Sequence, residues 1–270
     1  MKNLIMISIA LLCSSLLFGQ EKSDTTRFKI GNHEFIIVGN DTIAAPSENG
    51  DDDKGKKRSS GDLTYWSGFD IGVNLPMNGN FENSFQSKHL QIDPANSFVY
   101  SFNFLEQRIR IVKDYFGIVT GVGFTNSRYG FKDSYLRLQS DADSTYGMAD
   151  SSLLRGFTQN QLRVNYFNIP ILLQINTSKY ADKNFHITAG VIGGIRIGAN
   201  VKYKYEVAGG KESKTKDKGT YNLNAFQFSG TVRMGYKDFG IFANYDLLSL
   251  YETDKSEIAY PLSFGASFHF

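Results

Sequence analysis

The sequence predicts an all-β protein: an eight-stranded antiparallel up-and-down transmembrane β-barrel with a short N-terminal leader. Three observations predict it. The final stretch, Ile258 to Phe270, alternates strictly, with Tyr260, Leu262, Phe264, Ala266, Phe268 and Phe270 apolar and Pro261, Ser263, Gly265, Ser267 and His269 small or polar. A period of two makes a strand with one apolar and one polar face. Similar alternation recurs along the chain from Thr64 onward. The connections between these segments run long, short, long, medium, long, short, medium, the asymmetry expected of outer-membrane barrels.

Composition agrees. The net charge of +2 over 270 residues leaves no nucleic-acid footprint. The 22 Phe, 15 Tyr and 26 Gly suit many strands with close inward packing. The mean hydropathy of −0.29 does not argue for a soluble protein, because a barrel strand averages its two faces.

Residues 1–20 carry Lys2 and an apolar run from Leu4 to Phe18, the pattern of a secretory signal peptide cleaved near Gly19 or Gln20. The one cysteine, Cys13, lies within it, so the mature chain forms no disulfide. A lipoprotein signal is disfavoured because Leu12, directly before Cys13, is too large. Residues 21–61 form a periplasmic leader. In it Phe28 and Ile30 alternate with Arg27 and Lys29, Gly31-Asn32 reads as a hairpin turn, and Phe35 to Val38 forms a second short strand. His33 reads as a solvated residue beside the turn. The run Asp51-Asp52-Asp53, with Lys54, Lys56, Lys57 and Arg58, reads as a linker, and it lacks the spacing of a calcium loop.

Residues 62–270 hold the barrel. Its first strand sets Phe69, Ile71, Val73 and Leu75 against Gly68, Asp70, Gly72 and Asn74. The second runs Phe98 to Val112 and turns at Lys113-Asp114 into the third, Tyr115 to Ser127. The fourth is Gln161 to Ile175 and the fifth Asn184 to about Tyr205. The Gly-, Lys-, Ser- and Thr-rich residues 208–220 read as a connection. The sixth strand, Tyr221 to Tyr236, turns at Lys237-Asp238 into the seventh, Phe239 to Leu248, and the eighth ends the chain. An even count puts both termini on one side, the periplasm.

The fifth and sixth strands separate this reading from a soluble eight-stranded barrel, which would hide its apolar face inside. The fifth offers an uncharged face from Phe185 through Ile197, Ala199 and Val201, opposite His186, Thr188 and Arg196. The sixth sets Phe226, Phe228, Val232, Met234 and Tyr236 against Gln227, Ser229, Thr231 and Arg233. Both exceed the roughly 9–11 residues that a strand needs to cross hydrocarbon. Tyr236, Phe239, Phe268 and Phe270 would form an aromatic girdle. Two strands break phase. The second switches between Phe104 and Leu105 and the fourth between Tyr166 and Phe167, and a β-bulge is expected near each. Arg128 to Asn160, with Leu136 and Leu138 on one face, is expected to extend the third and fourth strands into a projecting sheet whose edge could take a partner strand, with a mobile loop carrying scattered aromatics as the alternative.

The expected lumen charges are Asp70, Glu106, Arg108, Arg110, Arg196, Arg233 and Asp246. An interior of eight strands is just wide enough for side chains to fill it, and enclosed charges need partners, so a packed structural ion-pair core is expected. A gated polar pore is the sharper alternative. Ser267 and His269 share a face and invite comparison with a lipid hydrolase, but the sequence shows no orienting carboxylate. No cofactor, metal or catalytic site is expected.

The stretch Tyr166-Phe167-Asn168-Ile169-Pro170-Ile171-Leu172-Leu173-Gln174 resembles a strand signature of the PorT-like outer-membrane β-barrels of Bacteroidota, small barrels of the OmpA/OmpX kind. Thr64 to Asn74 and the leader residues Asp24-Thr25-Thr26, Ile30-Gly31 and Ile36-Ile37-Val38 resemble such proteins too. The resemblance implies outer-membrane lipid as the surroundings. It also implies that barrel assembly machinery reads the C-terminal aromatics Phe264, Phe268 and Phe270. It carries no catalytic residues. Three roles stand open: a structural or surface-interaction barrel with an extracellular partner, a periplasm-facing component of an envelope secretion or assembly complex, and a small-barrel lipid-modifying enzyme.

Overall fold

The computed structural model describes residues 25–30, 33–38 and 63–270, apart from 152, 154, 208 and 209. The chain divides into two units, Met1–Gly55 and Lys56–Phe270. The signal peptide and linker readings lie outside the described residues. In the first unit β1 (Thr25–Ile30) and β2 (His33–Val38) pair antiparallel, with Ile30 opposite His33, so the expected hairpin forms.

The second unit is the barrel. Its staves are β3 (Gly68–Met77), β4 (Phe98–Val112), β5 (Phe116–Gly130), β8 (Gln159–Asn176), β9 (Phe185–Val207), β11 (Phe226–Tyr236), β12 (Phe239–Asp246) and β13 (Tyr260–His269). Neighbours in sequence pair antiparallel, and β13 pairs with β3 to close the ring. Closure matters because lipid supplies no partner for an unpaired backbone group. One end carries the short turns. Lys237 there adopts φ +56, the left-handed conformation of a two-residue hairpin whose strands meet at Tyr236 and Phe239. The other end carries the four long connections.

The barrel wall is apolar outside and polar inside. Ile169, Ile171, Leu173, Ile187, Ile195, Val232, Ile241 and Phe264 are exposed in a belt around it, while Asn103, Thr125, Asn168, Thr188, Ser229 and Thr231 are buried within. The C-terminal aromatics Phe264, Phe268 and Phe270 all lie exposed on the outer face, with Phe268 against Phe239 at 5.5 Å and Phe270 against Phe102 at 6.2 Å.

Several local expectations are corrected. The second strand does carry its bulge: Phe104 pairs with Val122 and Gln107 with Thr120, so Leu105 and Glu106 together face Gly121. The fourth strand does not break phase. Its even residues point inward from Asn160 to Asn176. What changes is the surroundings: inward residues pass from Leu162, Val164 and Tyr166 to Asn168, Gln174 and Asn176. The irregularity falls on its neighbour, where Tyr166 pairs with Arg196 and Asn165 with Gly198, leaving Ile197 as the extra residue of β9. Beyond it the facing of β9 inverts, so Val201 is buried in the interior and does not prolong the outer apolar face. Residues 208–220 are more than a connection: β10 (Lys211–Lys218) pairs with the upper half of β9. The sixth strand starts at Phe226, because Tyr221 and Leu223 are taken into a core. The third and fourth strands do not continue together as a projecting sheet. β5 stops at Gly130, and β6 (Leu136–Ser140) and β7 (Thr145–Ala149) pair only with each other. Leu136 and Leu138 do share a face, and both are buried.

Candidate functional site: a plugged lumen under a folded cap

The chain enters the barrel from the turn end. Before β3 begins, residues 63–67 turn into the lumen, and Leu63, Tyr65 and Trp66 are almost wholly buried. Trp66, the one tryptophan of the chain, lies across the interior with its Nε1 donating to the Val122 carbonyl at 3.1 Å. Gly121 and Gly123 of β5 make room for it: a Cβ at Gly121 would stand 2.7 Å from the indole and one at Gly123 3.3 Å. The bulge of β4 aims Glu106 at the same segment, as bulges commonly re-aim a side chain. Its carboxylate accepts the backbone N–H groups of Tyr65, Trp66 and Ser67 at 3.0, 2.8 and 2.9 Å. Tyr65 stacks on His186 at 3.6 Å, and its hydroxyl accepts from Asn184 Nδ2 at 3.0 Å. Gln174 donates to the Leu63 carbonyl at 3.1 Å. The plug is therefore tied to β4, β5, β8 and β9.

Of the seven expected lumen charges, the structure brings Asp70 and Arg233 together. Arg233 donates to both oxygens of Asp70, at 3.2 and 2.9 Å, in the two-pronged geometry that suits guanidinium and carboxylate. Asn103 donates to Asp70 at 2.9 Å, and the guanidinium lies 4.7 Å from the Trp66 ring centroid and 5.4 Å from that of Phe242. The other charges find other partners. Asp246 accepts from Ser229 Oγ at 2.5 Å and from Gln227. Arg196 donates to the carbonyls of Asn224 and Leu223 at the loop end. Arg108 donates to the Asp114 carbonyl, and Arg110 pairs with the Asp114 side chain at 3.6 Å on the exposed turn rim. Neutral bonds fill the space between: Ser101 with Thr125 at 2.8 Å, Asn168 with Thr125 at 2.7 Å, and Thr231 with Asn244 at 2.6 Å. The cavity left between Trp66, Asn74, Asn103, Arg233 and Asp246 measures about 20 Å³. That is room for about one water.

Ser267 and His269 both point inward at the turn end, with His269 edge-on to Tyr65 at 5.9 Å and to His186 at 5.5 Å. Among the described residues no group of three His, Cys, Asp or Glu side chains could hold a metal ion.

At the loop end all four long connections fold into one apolar core. Phe85, Leu90 and Ile92 come from the first, Phe131, Leu136, Leu138 and Phe157 from the second, Tyr221 and Leu223 from the third, and Leu250, Tyr251 and Ala259 from the fourth. The tops of β5, β8 and β9 supply Tyr129, Leu162, Val164, Tyr166, Val201 and Tyr203. The hairpin of β6 and β7 is fastened across this core. Leu138 N–H donates to the Tyr203 hydroxyl at 2.9 Å, Thr145 Oγ1 to the Tyr221 carbonyl at 2.8 Å, and Lys255 Nζ to the Ala142 carbonyl at 2.7 Å. Arg137 bridges Asp150 of the second connection at 2.9 Å to Asp217 of β10 at 3.5 Å. The first and fourth connections are latched by Glu257, which accepts from the backbone of Gln86 and Ser87, and by His89, whose Nε2 lies 2.8 Å from Ser256 Oγ.

Sequence reasoning missed both closures. The plug depends on contacts between residues 39 to 119 positions apart. One signal was available: a lone tryptophan beside the first strand.

The family model described as "Outer membrane protein beta-barrel domain" matches residues 51–252. No curated protein matches the chain. Among solved structures, the crystal structure of Ail, the attachment invasion locus protein of Yersinia pestis, in complex with the heparin analogue sucrose octasulfate, is similar at 10% identity with a TM-score of 0.29, over 75% of this chain and 97% of that one. A likeness of that size says nothing of shared ligands.

Proposed function

The chain belongs to the outer membrane protein β-barrel domain family, and we propose that it is a closed, non-conducting barrel that presents its loop-end cap on the cell surface as an interaction scaffold. The observation that carries this reading is the single apolar core drawn from all four long connections. Loops that only joined strands would have no need of a common core. A folded cap holds surface residues in fixed positions, which suits recognition of a partner. The reading puts both termini in the periplasm and the cap outside. The motif from Tyr166 to Gln174 supports a place among the PorT-like barrels of Bacteroidota, with Phe264, Phe268 and Phe270 read by the assembly machinery.

Two measurements test it. Reconstituted protein should give no steady ion conductance, since the plug and the cap close the lumen from both ends. Large, stable single-channel openings would overturn the closed barrel. Because Cys13 is the sole native cysteine, single cysteines report sidedness. Asp143→Cys in the cap should react with an impermeant maleimide on intact cells and Lys113→Cys should not; the reverse pattern would invert the orientation.

A further inference from the structure

Just above the apolar belt, the outward face of β5, β8, β9 and β10 becomes a continuous basic patch. In one rung across four strands Arg128 pairs with Arg163, Arg163 with Asn200, and Asn200 with Lys218. The next rung pairs Gln161 with Lys202 and Lys202 with Lys216, and the one above pairs Gln159 with Lys204 and Lys204 with Lys214. Neighbouring strands lie about 4.8 Å apart and alternate residues about 6.8 Å apart, so these seven cations cover an area roughly 14 Å on a side. On this face Glu212 engages Lys204 and Lys214, at 3.8 and 3.6 Å. The remaining five have no ion pair among the described residues.

Two features distinguish the patch from ordinary solvated lysines. Its lower guanidiniums are held in place. Arg128 donates to Asn126 at 2.7 Å and lies 4.5 Å from the Tyr100 ring centroid, while Arg163 donates to Gln161 at 3.0 Å and keeps a buried Nε without a partner. The patch is also continuous with the lipid belt on the same strands. Descending the outward face from Arg128 and Arg163, the next rung holds Asn126 and Asn165, and the one below holds Phe124 and Phe167.

We propose that this patch binds the phosphate groups of the lipid headgroups in the outer leaflet. Acyl chains would lie against Phe124, Phe167 and Ile195, and the phosphates of the same molecules would reach Arg128, Arg163, Lys202 and Lys216. Guanidiniums and ammoniums in such a cluster are well suited to phosphate oxygens at a membrane surface. The inference rests on the cap lying outside the cell, which the maleimide labelling reads separately.

The test is a titration of the purified full barrel in neutral detergent, followed by native mass spectrometry. The probes are a phosphorylated lipid A, its dephosphorylated form with the same acyl chains, and soluble polyphosphate. The phosphorylated lipid should bind preferentially. Each basic residue near an anionic surface contributes roughly a factor of five, so Arg163→Gln/Lys202→Gln/Lys216→Gln should weaken that binding by roughly 100-fold and leave the dephosphorylated lipid unaffected. Should the triple variant fold poorly, Lys202→Gln/Lys216→Gln leaves the guanidiniums intact and should lose roughly 25-fold. Equal binding of the two lipids, or an unchanged preference in either variant, overturns the proposal. Polyphosphate displacing the lipid fully at equal phosphate concentration overturns the lipid as the ligand.

Discussion

The belt and the cap are built on the same strands with opposite polarity. In the belt the outside is apolar and the interior is bonded polar groups around Asp70 and Arg233. In the cap the interior is Tyr203, Leu136 and their neighbours, and the outside is Lys and Arg. Two adjacent strands cross the boundary by different means. β8 keeps its facing and changes its composition: above, Val164 is inside and Arg163 outside; below, Asn168 is inside and Ile169 outside. β9 keeps its composition and changes its facing: odd residues stay apolar throughout, and the extra residue at Ile197 turns them from outside to inside. An apparent break in alternation therefore marks a change of solvent as readily as a bulge. The pattern becomes readable only when the neighbouring strand is read with it.

The most damaging way to test this comparison is to unbalance the lumen. Asp70→Ala leaves Arg233 enclosed without its carboxylate and should cost about 3–5 kcal/mol in equilibrium unfolding from lipid vesicles. Replacing both partners, Asp70→Leu with Arg233→Met, should recover most of that loss. A cost below about 1 kcal/mol for the single change would mean that the lumen is as wet as bulk solvent.

The second test exchanges outward residues between the regions. Val232→Arg places a charge on the lipid face and should cost about 2–4 kcal/mol near mid-membrane. Lys204→Leu, outward in the cap, should change stability by less than about 0.5 kcal/mol. Equal effects on the unfolding midpoint would erase the boundary between belt and cap.

The third test is at the latch, where the effect depends on pH. Burial lowers the pKa of His89 from 6.5 to about 4, against the opposing pull of the Glu257 carboxylate. Between those values the unfolded chain holds a proton that the folded latch does not, so stability should fall as pH drops from about 6.5 to 4 and level off below. The full window is worth at most about 3 kcal/mol. Proteolysis of the cap at pH 7 and pH 5 reads it, and a His89→Gln cap with the same pH dependence would assign the slope to other groups.

Most of the barrel was legible because its signals are local. Strand β4 spans the predicted Phe98 to Val112, and Lys113-Asp114 and Lys237-Asp238 turn where expected. The fold failed to show in sequence wherever meaning depended on a neighbour. Lys211 to Lys218 reads as a solvated connection until β9 places Ser213 and Thr215 against Tyr205 and Tyr203. The seven charges looked like one network because alternation gives the face of a residue but not its depth. Glu106 and Arg108 lie toward the turn end and Asp246 toward the loop end, so register keeps them apart. Tyr65 and Trp66 stand just before the first strand, and nothing nearby in sequence shows that the chain turns inward there.

Strand β10 has a consequence for crowding. It pairs only with β9 among the described residues, so its other edge offers unpaired backbone groups. Proteins confined to a membrane share one orientation and meet repeatedly at the same height, which favours lateral polymerisation of any open strand. Here the exposed side chains of that strand are Lys211, Glu212, Lys214, Lys216 and Lys218, four cations to one carboxylate. Two copies approaching through these edges would bring like charges together before a hydrogen bond could form. The lysines proposed to bind lipid phosphates would also keep neighbouring copies from joining edge to edge into sheets.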